Sequence, residues 1–176
     1  MTVQVLEGDC RAVLEQLPAE SVHCVVTSPP YWGLRDYGVD GQLGLEKVPD
    51  CLGWATGEPC GECYICHLVE VFRAVRRVLR PDGTLWLNLG DSYIGSRCGG
   101  QGPSGALANR SAGRARAGVT AEKSGPGLKP KDLVAIPWRA AMALQADGWW
   151  LRTDIVWEKP TPTPEAVYDR PSRSHE

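Results

Sequence analysis

Apolar and polar residues alternate from Val3 to Glu7, and the apolar residues that follow, Val13, Leu14 and Leu17, recur at helical spacing. A period of two marks a half-buried strand, and a spacing of three to four marks an amphipathic helix. The pattern predicts a strand over Val3–Glu7 ending at Gly8-Asp9, then a helix from Cys10 to Leu17 that Pro18 stops. The apolar run from Val22 to Val26 predicts a second strand. A right-handed crossover makes these two strands parallel and brings Asp9 and Ser28 to the same rim. Further on, Leu68, Val71, Phe72, Val75, Val78 and Leu79 share one face of a helix, with Arg73, Arg76, Arg77 and Arg80 on the solvated side. Pro81-Asp82-Gly83 reads as a turn, and Thr84 to Leu89 as a strand ending at Gly90-Asp91-Ser92-Tyr93. Asp132 begins a helical turn, Pro137 starts a helix that Gly148 ends, and Trp150 to Trp157 reads as the last strand.

Between these elements lie two stretches without periodicity. Gly33 to Gly44 is either a loop that closes over a substrate or a plain connection. Residues 96–131 form a flexible loop rich in Gly, Ser, Ala and Pro, with Arg97, Arg110, Arg114, Arg116, Lys123, Lys129 and Lys131 against Glu122 alone. It reads as a phosphate-tracking arm or as a disordered insertion.

Length and charge bound the rest. A chain of 176 residues is one domain or part of a larger protein. A net charge of -2 excludes a surface coated for nucleic acid, so DNA contact must come from local basic segments. No leader and no apolar run of membrane length is present, which points to a cytoplasmic protein without a membrane partner. Of the seven cysteines, Cys51, Cys60, Cys63 and Cys66 crowd into one insertion, residues 50–67, and Cys60-x2-Cys63 has the spacing of a zinc knuckle. Structural zinc is the expected occupant, with His67 a substitute ligand. The Cys-x2-Cys-x2-Cys run also suits an iron–sulfur cluster, and free thiols are the remaining alternative. Four closed ligands leave no position for substrate, so such a zinc staples and does not catalyse.

The chemistry gathers at Thr27-Ser28-Pro29-Pro30-Tyr31-Trp32, where the strand from Val22 ends. Strand ends are where open α/β sheets place their sites. Two prolines hold the backbone extended, present the Ser28 and Pro29 carbonyls as rigid acceptors, and put an aromatic ring directly after them. Such a turn suits a planar group that carries an amino function. Asp9 has two readings, a helix N-cap or an acceptor for ribose or adenine.

Ser28-Pro29-Pro30-Tyr31 resembles the catalytic tetrapeptide of the amino-group DNA methyltransferases of bacteria and phages. Leu85 to Tyr93, Trp157-Glu158-Lys159-Pro160 and Arg170-Pro171 are similar to the same group and occur in its order. The resemblance implies a three-layer Rossmann-like α/β fold, with S-adenosylmethionine as cofactor and double-stranded DNA as partner. It assigns catalysis to Ser28, Pro29, Pro30 and Tyr31, and cofactor contact to Asp9 and Ser28. Serine at the first motif position leans toward N4 of cytosine over N6 of adenine. Ring-carbon methylation through Pro59-Cys60 is the weaker alternative, because Cys60 sits among metal-type ligands. The family's glycine-rich cofactor loop is missing from this sequence. The expectation is therefore a partial catalytic domain over 1–176, completed by a C-terminal half or a separate cofactor-binding chain. A noncatalytic zinc-containing nucleic-acid-binding module stays open beside it.

Overall fold

A computed structural model describes residues 3–94, 123–161, 170–171 and 174–175. The expected basic arm therefore lies outside the described residues as far as residue 122. The elements run α1 (Cys10–Gln16), β1 (Val22–Thr27), α2 (Gly53–Thr56), α3 (Tyr64–Val78), β2 (Leu79–Leu87) and α4 (Ile136–Ala146).

β1 and β2 pair in parallel, with Val25 beside Leu85, Val26 beside Trp86 and Thr27 beside Leu87. A parallel pair needs a crossover, and α3 supplies it. The expected turn at 81–83 survives as an irregularity inside β2. Val22 pairs with Leu79 and Cys24 with Thr84, so two steps on β1 face five on β2. Below that irregularity the register is regular, and Asn88 N–H donates to the Thr27 carbonyl at 2.9 Å, carrying the ladder to the edge of the proline turn.

α3 is the centre of the core. Its inward stripe, Leu68, Val69, Phe72, Val75 and Val78, is buried, and it begins at Tyr64, ahead of the predicted Leu68. α1 and α4 pack against α3, while Val25, Leu85 and Leu87 close the core from the sheet. The arginines of α3, expected to be solvated, remain exposed but are employed. Arg73 Nε reaches Asp147 Oδ1 at 2.7 Å, and Arg76 Nη1 reaches the Asp147 carbonyl at 2.6 Å. Arg77 Nη2 donates to the Leu14 and Leu17 carbonyls at 2.6 and 3.0 Å. Helix ends leave carbonyls without partners, and two long cations from α3, Arg77 on α1 and Arg76 behind α4, donate to such carbonyls while Arg73 takes the Asp147 carboxylate.

Two predicted strands do not form. Residues 3–7 and 150–157 enter no ladder among the described residues, and Val3, Val5, Trp150, Ile155 and Trp157 are exposed. Alternation supplies a strand's two faces, but only a hydrogen-bonding neighbour makes the strand. With the first strand goes the crossover expected to carry Asp9 to the rim of Ser28. One face of the sheet is also bare, since Val26 and Trp86 stand exposed side by side. The second helical layer of the expected three-layer arrangement is not found among the described residues. Among them, too, no helix is long and apolar enough to cross a membrane.

Candidate active site

The turn after β1 is built as its prolines require. Ser28 is exposed, and Pro29, Pro30 and Tyr31 are half-buried. The Ser28 hydroxyl donates to the Tyr31 phenol oxygen at 3.4 Å. Tyr31 is held from two sides by glycines: a side chain at Gly90 would run into its ring, and one at Gly44 would meet its carbonyl at 2.8 Å. Gly44 also has φ of 93°, a backbone state that favours glycine. The strand end after β2 thus packs directly on the motif ring, which periodicity alone did not reveal.

Three further ties fix the turn. The Tyr64 hydroxyl donates to the Pro30 carbonyl at 2.8 Å. Trp32, 2% exposed, donates its indole N–H to the Glu46 carbonyl at 2.8 Å. Gly33 N–H donates to the Gly44 carbonyl at 2.7 Å. Neither the Ser28 nor the Pro29 carbonyl accepts a hydrogen bond among the described residues, so both carbonyls and the lone pairs of the Ser28 hydroxyl can meet a ligand's donors. Burial, and then the nearby Glu46 and Tyr31, push the Tyr64 phenol above its ordinary range, so its proton stays on and it remains a donor.

The neighbouring rim residues are engaged. Asp91 Oδ1 accepts from Ser92 N–H at 2.8 Å and from Ile136 N–H at 3.0 Å, and so caps α4, whose own N-cap residue Ala135 has no side-chain acceptor. Lys123 Nζ donates to Ser92 Oγ at 2.6 Å and lies 5.4 Å from the centre of the Trp32 ring. The Arg170 guanidinium stacks 3.7 Å from the Tyr93 ring, drawing the tail to the same rim. Asp9 does cap α1, accepting from Arg11 N–H at 2.8 Å. Arg11's side chain first, and then its backbone N–H, hold the Asp9 carboxyl at about 2.

The four cysteines converge. Their sulfurs all lie within 4.8 Å of one another, with Cys51 to Cys66 at 3.8 Å and Cys60 to Cys66 at 4.0 Å. Zinc bound tetrahedrally at about 2.3 Å sets its sulfurs about 3.8 Å apart, so the donor set fits that ion. Cys63 and Cys66 are buried, at the N-cap and in the first turn of α3, and Cys51 and Cys60 come from the preceding loop. Gly53 makes that loop possible, because a side chain there would strike the Glu58 carbonyl. Burial raises the Cys60 thiol, yet backbone N–H groups of Glu62 and Cys63 outweigh it and leave it at about 7. Burial pushes Cys63 and Cys66 up. The insertion is anchored in the core by Asp50, whose Oδ2 meets Arg139 Nη1 of α4 at 2.7 Å.

Parallel strands joined through a helix, with a Ser-Pro-Pro-Tyr turn at a strand's carboxyl end, make an open α/β unit with its polar turn where such folds place their sites. A family model for N6/N4 methyltransferases, described as DNA methylase, matches residues 22–176, and the chain belongs to that family. It is 49% identical over 172 residues to Type II methyltransferase M.Cfr9I of Citrobacter freundii, covering 98% of this chain and 51% of that protein. It is 50% identical over 173 residues to Type II methyltransferase M.XycI of Xanthomonas campestris pv. cyanopsidis, again covering 98% and 51%. The chain thus spans about half the length of these curated relatives. A putative DNA modification methylase of Thermus thermophilus, solved with S-adenosyl-L-methionine, has a similar fold, with TM-score 0.50 and 24% identity over 96% of this chain and 48% of that one.

Asp9 is exposed, and Arg11 takes three of the roughly four lone-pair positions of its carboxylate, leaving room for one hydroxyl.

Proposed function

We propose that this chain carries the catalytic half of a DNA methyltransferase of a restriction–modification system, acting on the exocyclic amino group of a flipped base. One observation carries the reading: the turn after β1 leaves the lone pairs of the Ser28 hydroxyl and the Pro29 carbonyl open to a donor while Tyr64, Gly44 and Gly90 hold Pro30 and Tyr31 beside them. S-adenosylmethionine, when bound, supplies an electrophilic methyl group. Ser28 Oγ and the Pro29 carbonyl accept the two amino hydrogens and aim the nitrogen lone pair at that carbon. The nitrogen–carbon bond would form as the carbon–sulfur bond breaks and the sulfur leaves as a neutral thioether, and one of those hydrogens would pass to solvent as a proton. Tyr31 offers its ring to the flipped base, and Asp9 holds a hydroxyl of the adenosyl group. The work is positioning and electrostatics.

Serine at position 28 favours N4 of cytosine as the target. Lys123, set beside Trp32, supplies positive charge for the phosphate next to the flipped base. We infer that further chain, on the same polypeptide or a partner, completes the cofactor pocket, since among the described residues no glycine-rich loop follows a strand. The cysteines hold a structural zinc.

Transfer of labelled methyl groups to unmethylated DNA tests the assignment. Ser28→Ala is expected to lower the rate roughly a hundredfold, on the scale of losing one aimed hydrogen bond in an active site. Tyr31→Ala should do the same, with DNA affinity within a factor of a few. Activity retained in both variants would overturn the roles given to Ser28 and Tyr31, and DNA affinity without any methyl transfer by the unaltered protein would leave the nucleic-acid-binding module as the better description.

A further inference from the structure

We propose that the cysteine site sets the geometry of the catalytic turn, with Tyr64 and Glu46 as the positioning residues between them; this rests on the metal and methyltransferase readings above. Tyr64 sits between Cys63 and Cys66, is fully buried, and spends its hydroxyl on the Pro30 carbonyl at 2.8 Å. His67, next to Cys66, places Nδ1 2.8 Å from Glu46 Oε1. Glu46 then acts as a hub. Its side chain is 8% exposed, Oε2 accepts from Gly44 N–H at 2.8 Å, and its carbonyl accepts from Trp32. Gly44 in turn accepts from Gly33 N–H at 2.7 Å. Pro30, Trp32 and Gly33, on either side of Tyr31, are therefore all suspended from the first turn of α3.

That turn has little of its own to hold it. Cys63 makes no side-chain cap and the first turn carries no acid. Its leading amides, Tyr64 and Ile65, depend on the Val48 and Pro49 carbonyls at 3.2 and 3.0 Å. A metal bound by Cys63 and Cys66, one turn apart, and by Cys51 and Cys60 of the preceding loop clamps the helix start to that loop. The clamp fixes Tyr64 and His67, and through them the acceptors that grip the target amino group. The metal works on methyl transfer from a distance, through two hydrogen-bonded routes.

Hydrogen exchange at two amides reads these routes directly: Gly33, bonded to Gly44, and Leu34, bonded to the Tyr31 carbonyl at 3.3 Å. The measurement compares the zinc-loaded chain, the chain stripped by chelator, and two loaded variants, Tyr64→Phe and His67→Gln, with zinc content measured in each. Stripping is expected to speed exchange at both amides roughly two- to tenfold, as befits the loss of about one hydrogen bond's constraint. Tyr64→Phe, still holding one zinc, should speed Leu34, and His67→Gln should speed Gly33. The Val13 amide in α1, bonded to the Asp9 carbonyl at 2.9 Å, should not change in any of them. Equal exchange in loaded and stripped chains, with the metal demonstrably bound, overturns the coupling and leaves the metal site standing. Wild-type exchange in both loaded variants also overturns it. A chain that takes up no metal overturns the metal reading and this proposal together. None of these readouts needs methyl transfer, so failure of the methyltransferase reading would be seen separately. In the active enzyme, Tyr64→Phe is expected to lower kcat per folded molecule and leave KM for DNA unchanged, with the folded fraction measured alongside because loss of fold alone would also lower the apparent kcat.

Discussion

At the scale of single residues, the same side chain serves the fold and the chemistry, and Asp9 shows how the two can be separated. Its carboxyl is held at about 2 against an ordinary 3.8. A group depressed in the folded state contributes stability that is present above its unfolded value and lost as pH falls through its folded one. The start of α1 should therefore loosen between roughly pH 4 and pH 2. Carbon-detected NMR titration should place the Asp9 midpoint near 2, and Arg11→Ala should return it toward the ordinary value. Asp9→Ala should destabilise the protein by about 1 kcal/mol in urea through loss of the cap. The cap and the proline turn were both legible in the sequence, because each is written in adjacent residues. Tyr64, Glu46 and Gly90 were not. Tyr64 acts on a carbonyl 34 positions away and Glu46 on a ring 21 positions away, and nothing local marks such a pairing. Only the place of Tyr64 between two cysteines hinted at a role.

At the scale of elements, α3 organises what surrounds it. Its apolar stripe was plain in the sequence, and its length was underestimated because the cysteine run hid the first turn. The strands show the opposite failure. Residues 3–7 alternate and 150–157 are as apolar as a strand, yet among the described residues neither has the neighbour that β2 finds in β1. Two substitutions probe the contacts between elements. Arg139→Met leaves Asp50 buried without its partner and should cost about 3 kcal/mol of stability, measured by chemical denaturation. Gly90→Ala drives a methyl group into the Tyr31 ring, which must move. It should lower methyl transfer well beyond its effect on stability, about 1–3 kcal/mol for an overpacked contact. A fall in both by the same factor would mean that the ring's position is irrelevant to the reaction.

At the scale of the whole molecule, the insertion and the catalytic turn form one unit held by Asp50, Tyr64 and Glu46. Removing zinc with a chelator should lower the melting temperature by roughly 5–10 °C, the shift expected when a ligand at about a hundredfold excess over its dissociation constant is lost. Parallel strands are ordinarily covered on both faces, and here one face carries Cys24, Val26, Thr84 and Trp86 in the open. The Cys24 thiol in that row gives the face a chemical clock. Its rate of alkylation by a small maleimide will be fast while the row is bare and will slow when anything lies across it. One mass-spectrometric time course on that single sulfur can therefore show whether an added polypeptide has seated on the sheet, without any assay of DNA.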